Sequence, residues 1–100
     1  MAIDSGRALG ELARDAGDLL VAVHGGRDVR ISGMAFDSGA VARGDLFFCI
    51  PGKVTDGHLY AEAAVTAGAV ALCVGRLVDV DVAQVEVADV RRAMPRLAAA

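Results

Sequence analysis

The sequence predicts an α/β domain: a three-layer sandwich in which a mixed, mostly parallel sheet of about four or five strands is flanked by helices. A chain of 100 residues that is 55% hydrophobic has enough apolar material for one core. Its apolar residues are mostly Val, Ala and Leu, which suits strands that helices cover on both faces. Strand-like and helix-like segments alternate closely along residues 46–74, as in a parallel crossover.

The first part of the chain predicts one helix and one strand. The helix is expected over residues 8–16, because Leu9, Leu12 and Ala13 recur at helical spacing. A compact apolar run over residues 19–23 then predicts a strand, which a histidine and two glycines follow.

Two further strands are each followed by a polar loop. Residues 29–36 are predicted to form a strand that ends at Asp37 and Ser38, whose side chains can bond amides just downstream. Residues 46–50 are predicted to form the strongest strand, since an uninterrupted apolar run is typical of a strand buried on both faces.

The second half completes the alternation. A helix is expected over residues 58–67, where Gly68 ends it, and strands are expected over residues 70–74 and 84–87. The connection through residues 53–68 is expected to be a right-handed crossover.

The end of the chain predicts a last helix. Asp89 is expected to cap it, and Pro95 is expected to break its regularity. Because the sequence stops in helix-forming alanines without a cap, we expect this end to be cut and not a finished terminus.

Composition excludes several classes of protein. A net charge of −3 with scattered Lys and Arg argues against nucleic-acid binding. No apolar run reaches the roughly 20 residues that span a bilayer, and the N-terminus lacks a signal peptide, so we expect no membrane partner and a cytoplasmic location. Cys49 and Cys73 lie within apolar strands and are expected to be buried free thiols.

No catalytic or metal-binding constellation stands out. The sequence lacks a GxxxxGK[ST] phosphate loop and a GxGxxG fingerprint. His24 and His58 have no Cys or carboxylate at a spacing typical of metal ligands, and they are expected to be surface or capping residues. We therefore predict no catalytic residue, no metal site and no cofactor bound by this domain.

Two polar loops remain as a candidate binding site. They follow the strands predicted over residues 29–36 and 46–50, and ligands gather beyond the carboxyl ends of strands in such sheets. A helix after the second loop would also favour an anion by about 0.3–1 kcal/mol. Taken by themselves, these residues favour structural roles. Ser38 would close a turn with Asp37, Thr55 and Asp56 would cap the following helix, Lys53 would be a solvated charge and Phe36 would lie in the core.

A longer motif adds a resemblance. The run DSGAVARGDLF over residues 37–47 continues through CI at 49–50, TDGH at 55–58 and GA at 68–69. It resembles the N-terminal domain of the Mur ligases, and most of all the UDP-N-acetylmuramoyl-tripeptide synthetase (MurE) family, over roughly residues 29–98. The resemblance implies a Rossmann-like domain that holds the uridine diphosphate end of a UDP-N-acetylmuramoyl peptide.

The same resemblance implies roles for particular residues and for missing parts. The uridine-contacting segments correspond to Phe36 and Ser38 in the first loop and to Lys53, Val54 and Thr55 in the second. ATP and Mg²⁺ are expected in the full-length enzyme, bound by a central domain, and a C-terminal domain is expected to bind meso-diaminopimelate or L-lysine. Both domains would lie outside this chain, which alone is expected to be inactive.

One position departs from the family pattern, and two alternatives stay open. Gly39 stands where the family commonly has arginine. The alternatives are the first domain of a MurF-type ligase, which adds D-alanyl-D-alanine, and a stand-alone nucleotide-binding module.

Overall fold

The main sheet has five strands with mixed pairing. The computed structural model of the chain describes residues 6–52 and 56–98. In spatial order, with numbers that follow the chain, the strands are β2 (Leu20–His24), β7 (Ala83–Val87), β6 (Ala71–Val74), β5 (Asp45–Phe48) and β4 (Gly33–Ala35). Neighbouring strands are parallel except for β2, which lies at one edge and runs antiparallel to β7. The predicted mixed, mostly parallel sheet is confirmed.

Helices cover both faces of this sheet. Every residue of β5 and β6 is buried. One face packs against α1 (Leu9–Ala13), the 3₁₀ segment Arg14–Leu19 that continues it, and α3 (Val90–Ala98). The other face packs against α2 (Ala61–Ala67). The three-layer sandwich predicted from the sequence is therefore confirmed.

The first helix differs from its prediction in its second half. Residues 14–16 were expected to be α-helical, but the α-helix ends at Ala13 and the chain continues as a 3₁₀ segment. Within that segment Gly17 has a φ of 58°, which breaks the helical path. The tighter segment still buries Ala16 and Leu19 against the sheet.

The single strand predicted over residues 29–36 is wrong. The segment forms two short strands in different sheets, β3 (Arg30–Ile31) and β4. β3 pairs antiparallel with β1 (Arg7–Ala8), whereas β4 pairs parallel with β5. Between them the backbone N–H of Ser32 donates to the carbonyl of Gly44 at 3.0 Å. An apolar run cannot indicate that its two halves have different partners.

The crossover from β5 to β6 contains α2, as predicted, but α2 begins later than expected. Residues Gly57–Tyr60 form a 3₁₀ turn, and the α-helix starts at Ala61 instead of His58. The backbone N–H of His58 donates to the Asp56 carboxylate at 2.9 Å, so this amide is not available to an anion. The handedness of the crossover stays a prediction.

The parallel strands β6 and β7 are joined by a loop without a helix. The buried side chain of Gln84 fixes this loop with two hydrogen bonds to one residue. Its Oε1 accepts from the N–H of Val78 at 2.9 Å, and its Nε2 donates to the carbonyl of Val78 at 2.8 Å. The loop thereby lies along the α2 side of the sheet, where Val78 packs against the core.

The last helix is capped by Asp89, and it continues through Pro95. The Asp89 carboxylate accepts from the N–H of Arg92 at 3.2 Å, which confirms the predicted cap. The expected disturbance at Pro95 is wrong, because α3 runs through it to Ala98. The exposed side of the helix holds Pro95, while Leu97 is buried.

Candidate functional site

A cleft of about 540 Å³ lies at the carboxyl ends of β4 and β5. This is the edge of the sheet at which open α/β proteins bind ligands. Its lining comes from the loop after β4, the end of β5 and the 3₁₀ turn before α2. The lining residues are Phe36, Asp37, Ser38, Phe47, Phe48, Ile50, Gly57 and Tyr60.

The loop after β4 forms the first wall of the cleft. Phe36 was expected in the core, but it is 49% exposed, and its ring stacks on the buried ring of Phe48 with centroids 5.2 Å apart. Asp37 closes the turn as predicted, since its carboxylate accepts from the N–H of Gly39 at 3.0 Å. The half-buried Ser38 makes no side-chain hydrogen bond with any other residue that the structure describes. Its hydroxyl is thus not used to close the turn.

The second wall lies around the end of β5. The N–H of Gly57 donates to the carbonyl of Ile50 at 2.8 Å and so closes the base of the loop between them. A side chain at position 57 would meet the backbone N of Ile50 at 2.5 Å, which explains the glycine. The predicted contact residues Lys53, Val54 and Thr55 lie outside the described residues, so their placement stays a prediction.

Next to this wall lies a hydrogen-bonded cluster of polar side chains that the sequence analysis did not predict. Asp56 accepts the N–H of His58, the Nδ1 of His58 at 2.6 Å, and the Nη1 of Arg76 at 2.7 Å. The Nε2 of His58 accepts from the N–H of Gly75 at 3.0 Å. The expectation that His58 is a surface or capping side chain is wrong, because the residue is 6% exposed and links two loops. The Asp-x-His spacing was the only local signal.

The contacts of Asp56 also stabilise its charge. The backbone N–H of His58, then the guanidinium of Arg76 and the ring of His58, hold the pKa of the Asp56 carboxyl well below its usual range. Asp56 is therefore a carboxylate at neutral pH, and it acts as a hydrogen-bond acceptor only.

The other titratable side chains that the structure describes do not suggest a second catalytic or metal-binding site. His24 is partly exposed and its Nε2 lies 3.0 Å from Glu86 on the neighbouring strand, which agrees with the expected surface position. Both cysteines are free and buried, as predicted, and burial raises the pKa of each thiol to about 12. Across residues 6–52 and 56–98 no three His, Cys, Asp or Glu side chains come together as metal ligands.

No helix in the described part of the chain is both long and apolar enough to cross a bilayer.

Comparison with known proteins decides the family. The model of the Mur ligase family, catalytic domain, matches residues 30–100. The chain belongs to the Mur ligase family.

Two relatives in this family carry the same name. The chain is 49% identical over 76 residues to the UDP-N-acetylmuramoyl-L-alanyl-D-glutamate--2,6-diaminopimelate ligase of Geobacillus kaustophilus, a match that covers 76% of this chain and 16% of the relative. It is 47% identical over 70 residues to the ligase of that name from Listeria monocytogenes, covering 70% of this chain and 14% of the relative. The resemblance to the Mur ligases, and among them to this kind of ligase, is confirmed. The chain spans only a small part of the length of these relatives.

Solved structures agree on the fold. A crystal structure of MurF from Acinetobacter baumannii matches 94% of this chain and 21% of its own, with a TM-score of 0.77 and 24% identity. A structure of the UDP-N-acetylmuramoylalanyl-D-glutamyl-2,6-diaminopimelate--D-alanyl-D-alanyl ligase of that organism matches 96% of this chain and 22% of its own, with a TM-score of 0.77 and 23% identity. At these identities the likeness extends to the fold of Mur ligases alone.

Proposed function

We propose that this chain is the domain of a Mur ligase that holds the uridine diphosphate end of UDP-N-acetylmuramoyl-L-alanyl-D-glutamate. The whole protein would add 2,6-diaminopimelate to this substrate in peptidoglycan synthesis, as the names of its relatives describe for them. A cytoplasmic location is part of the same proposal, because the reaction consumes ATP, which the cytoplasm supplies.

One observation supports the proposal: two of the five residues assigned to uridine contact from the sequence, both in the first loop, line one cleft. Phe36 and Ser38 line it, and so do Ile50 and Gly57, which stand on either side of residues 53–55. Lys53, Val54 and Thr55 are proposed as the remaining contacts. Ser38 is the proposed hydrogen-bond donor or acceptor to the nucleoside, since its hydroxyl is not engaged by other described residues.

Neither the sequence motifs nor the described residues offer a fitting site for ATP and magnesium. Its sequence lacks the glycine-rich GxxxxGK[ST] loop that wraps phosphates, and the part that the structure describes gathers no three metal-ligating side chains. We therefore assign the activation of the substrate carboxylate and the binding of the amino acid to domains outside this chain. The role proposed here is to bind and orient one end of the substrate.

Titration of ¹⁵N-labelled chain with UDP-N-acetylmuramoyl-L-alanyl-D-glutamate tests the proposal. We expect the amide signals of residues 36–39 and of Gly57 to shift. The change Ser38→Ala should weaken binding about two- to tenfold, the value of one hydrogen bond of about 0.5–1.5 kcal/mol. The melting temperature should stay unchanged, because the hydroxyl has no described partner.

The matched control is Ser32→Ala, which changes the same residue type at the other end of β4. It should leave binding unchanged. Shifts confined to residues away from the cleft, or equal effects of the two serine changes, would overturn the proposal. A large loss of melting temperature in Ser38→Ala would instead indicate a structural turn.

A further inference from the structure

All the aromatic residues of the chain line the cleft. The sequence contains three Phe, one Tyr and no Trp, which are Phe36, Phe47, Phe48 and Tyr60. Phe47 and Phe48 are buried and belong to the core. Phe36 and Tyr60 are 49% and 42% exposed. The cleft therefore presents two exposed aromatic side chains, of which only Phe36 was assigned a ligand contact from the sequence.

A turn that is held by hydrogen bonds brings Tyr60 to the cleft. Tyr60 is the last residue of the 3₁₀ turn Gly57–Tyr60, and α2 follows it directly. His58 is buried, and its Nε2 accepts from the N–H of Gly75 at 3.0 Å. Leu59 is exposed and lies outside the lining of the cleft. Of these three consecutive side chains, the first anchors the turn, the second lies in solvent and the third lines the cleft.

We propose that Tyr60 contacts the ligand, and that its ring packs on the nucleobase and together with Phe36 makes the cleft selective for a planar aromatic group. The inference rests on the proposed function of the cleft. Every nucleobase has a π-face, on which exposed aromatic side chains stack. The muramoyl sugar and the alanyl-glutamate part of the substrate have no aromatic face. Two exposed aromatic rings in one cleft therefore favour the uracil end.

The fluorescence of Tyr60 tests this contact directly. Because the chain has one Tyr and no Trp, its intrinsic emission comes from Tyr60 alone. UDP-N-acetylmuramoyl-L-alanyl-D-glutamate should quench this emission in a saturable way, since a base that packs on the ring quenches its excited state. Free N-acetyltyrosinamide, titrated in parallel, corrects for the light that uracil absorbs. Binding that calorimetry detects but that leaves the emission unchanged would overturn the contact.

Calorimetric titration of variants separates the ring of Tyr60 from its hydroxyl. Tyr60→Leu removes the aromatic face and should weaken binding about tenfold, within the range for loss of one contact between a base and an aromatic ring. Tyr60→Phe keeps the face and should bind nearly as tightly as the wild type. Leu59→Ala, the matched control in the same turn, should bind as the wild type does.

The NMR signals of the ligand identify which part of it meets the ring. On binding to the wild type, the uracil protons should show the largest upfield shift, and this shift should be smaller with Tyr60→Leu. A largest shift on the sugar or peptide protons, or a Tyr60→Phe variant that binds as weakly as Tyr60→Leu, would overturn the role of Tyr60 alone. If Tyr60→Leu does not fold, the quenching and the uracil shift of the wild type still decide. A wild type that does not bind would overturn the proposed function itself.

Discussion

Phe36 and Ser38 make one wall of the cleft partly apolar and partly polar. The exposed ring of Phe36 is held flat by the buried Phe48, with centroids 5.2 Å apart and planes 15° apart. Ser38 lines the same cleft. A half-exposed aromatic ring supported by a core ring offers a firm apolar surface, and the hydroxyl adds one polar contact. This combination suits a planar nucleobase attached to a polar sugar.

Gly39 is the position at which we expect a cationic side chain to raise affinity for the proposed ligand. The described residues of the cleft include the Asp37 carboxylate but no Lys or Arg, so a diphosphate there meets no described cation. A side chain at position 39 has room, since a Cβ would meet only Asp37 Oδ1 at 3.6 Å. We expect Gly39→Arg to fold normally and to bind UDP-N-acetylmuramoyl-L-alanyl-D-glutamate about three- to tenfold more tightly by calorimetry.

Salt and a neutral variant separate charge from packing in that experiment. The gain from Gly39→Arg should shrink at high salt, because exposed charge pairs are screened. Gly39→Leu, which adds bulk without charge, should show no gain. Equal affinities of the two variants would mean that charge at this position does not reach the ligand.

Single residues were predicted well where their partner is near in sequence. Asp37, Asp56 and Asp89 each accept an N–H two or three residues ahead, a pattern that the residue type itself predicts. His58 was misjudged because its second partner, Gly75, is 17 residues away. Such a contact depends on how β5 and β6 lie together, which no local spacing indicates.

At the scale of elements, hydrophobic runs predicted where strands lie but not with which strand each pairs. β5 and β6 were predicted from the uninterrupted apolar runs over residues 46–50 and 70–74, and every residue of both strands is buried. The strand expected over residues 29–36 divides because Ser32 turns its N–H to Gly44 and leaves both ladders. Whether one apolar run forms one strand or two depends on contacts with residues far away in the sequence. The composition of the run gives no information about those contacts.

The connection between β6 and β7 depends on one side chain in place of a helix. Gln84 is buried and makes two hydrogen bonds to the backbone of Val78. Its removal leaves the N–H of Val78 without this partner and the Val78 carbonyl with the N–H of Val80 at 3.1 Å. Loss of such a partner costs about 1–3 kcal/mol. We expect Gln84→Ala to lower the free energy of unfolding in urea by that amount and to speed hydrogen exchange at the Val78 amide.

An apolar substitution of similar size separates hydrogen bonding from packing at this position. Gln84→Met fills nearly the same volume but bonds neither group of Val78. It should be destabilised nearly as much as Gln84→Ala. If Gln84→Met were as stable as the wild type, the two hydrogen bonds would contribute nothing and packing alone would hold the loop.

The architecture of the whole molecule was the most predictable property. Short apolar strands alternating with helices leave few ways to bury both faces of a sheet, and the three-layer sandwich follows. The same topology brings the carboxyl ends of β4 and β5 to one edge, so the position of the cleft was predictable as well. The nature of the ligand did not follow from the residues alone, because Phe36 by itself suits a core position and Ser38 a turn. Only the resemblance to the Mur ligases implied a nucleotide.

The two buried thiols are expected to make the domain less stable as the pH rises in the alkaline range. Burial raises the pKa of Cys49 and Cys73 to about 12 from an ordinary value of 9.0. A folded pKa above the unfolded one means that stability is complete below about pH 9 and is lost as pH rises toward 12, at up to about 1.4 kcal/mol per pH unit for each thiol. Urea unfolding of the wild type should show this decline above pH 9, and Cys49→Ala and Cys73→Ala should each make it shallower. The alanine variants also control for other groups that titrate in this range, since those remain in place. Identical slopes in all three proteins would mean that the thiols ionise as easily in the folded chain as in the unfolded one, and that the core on the two faces of β5 and β6 admits water.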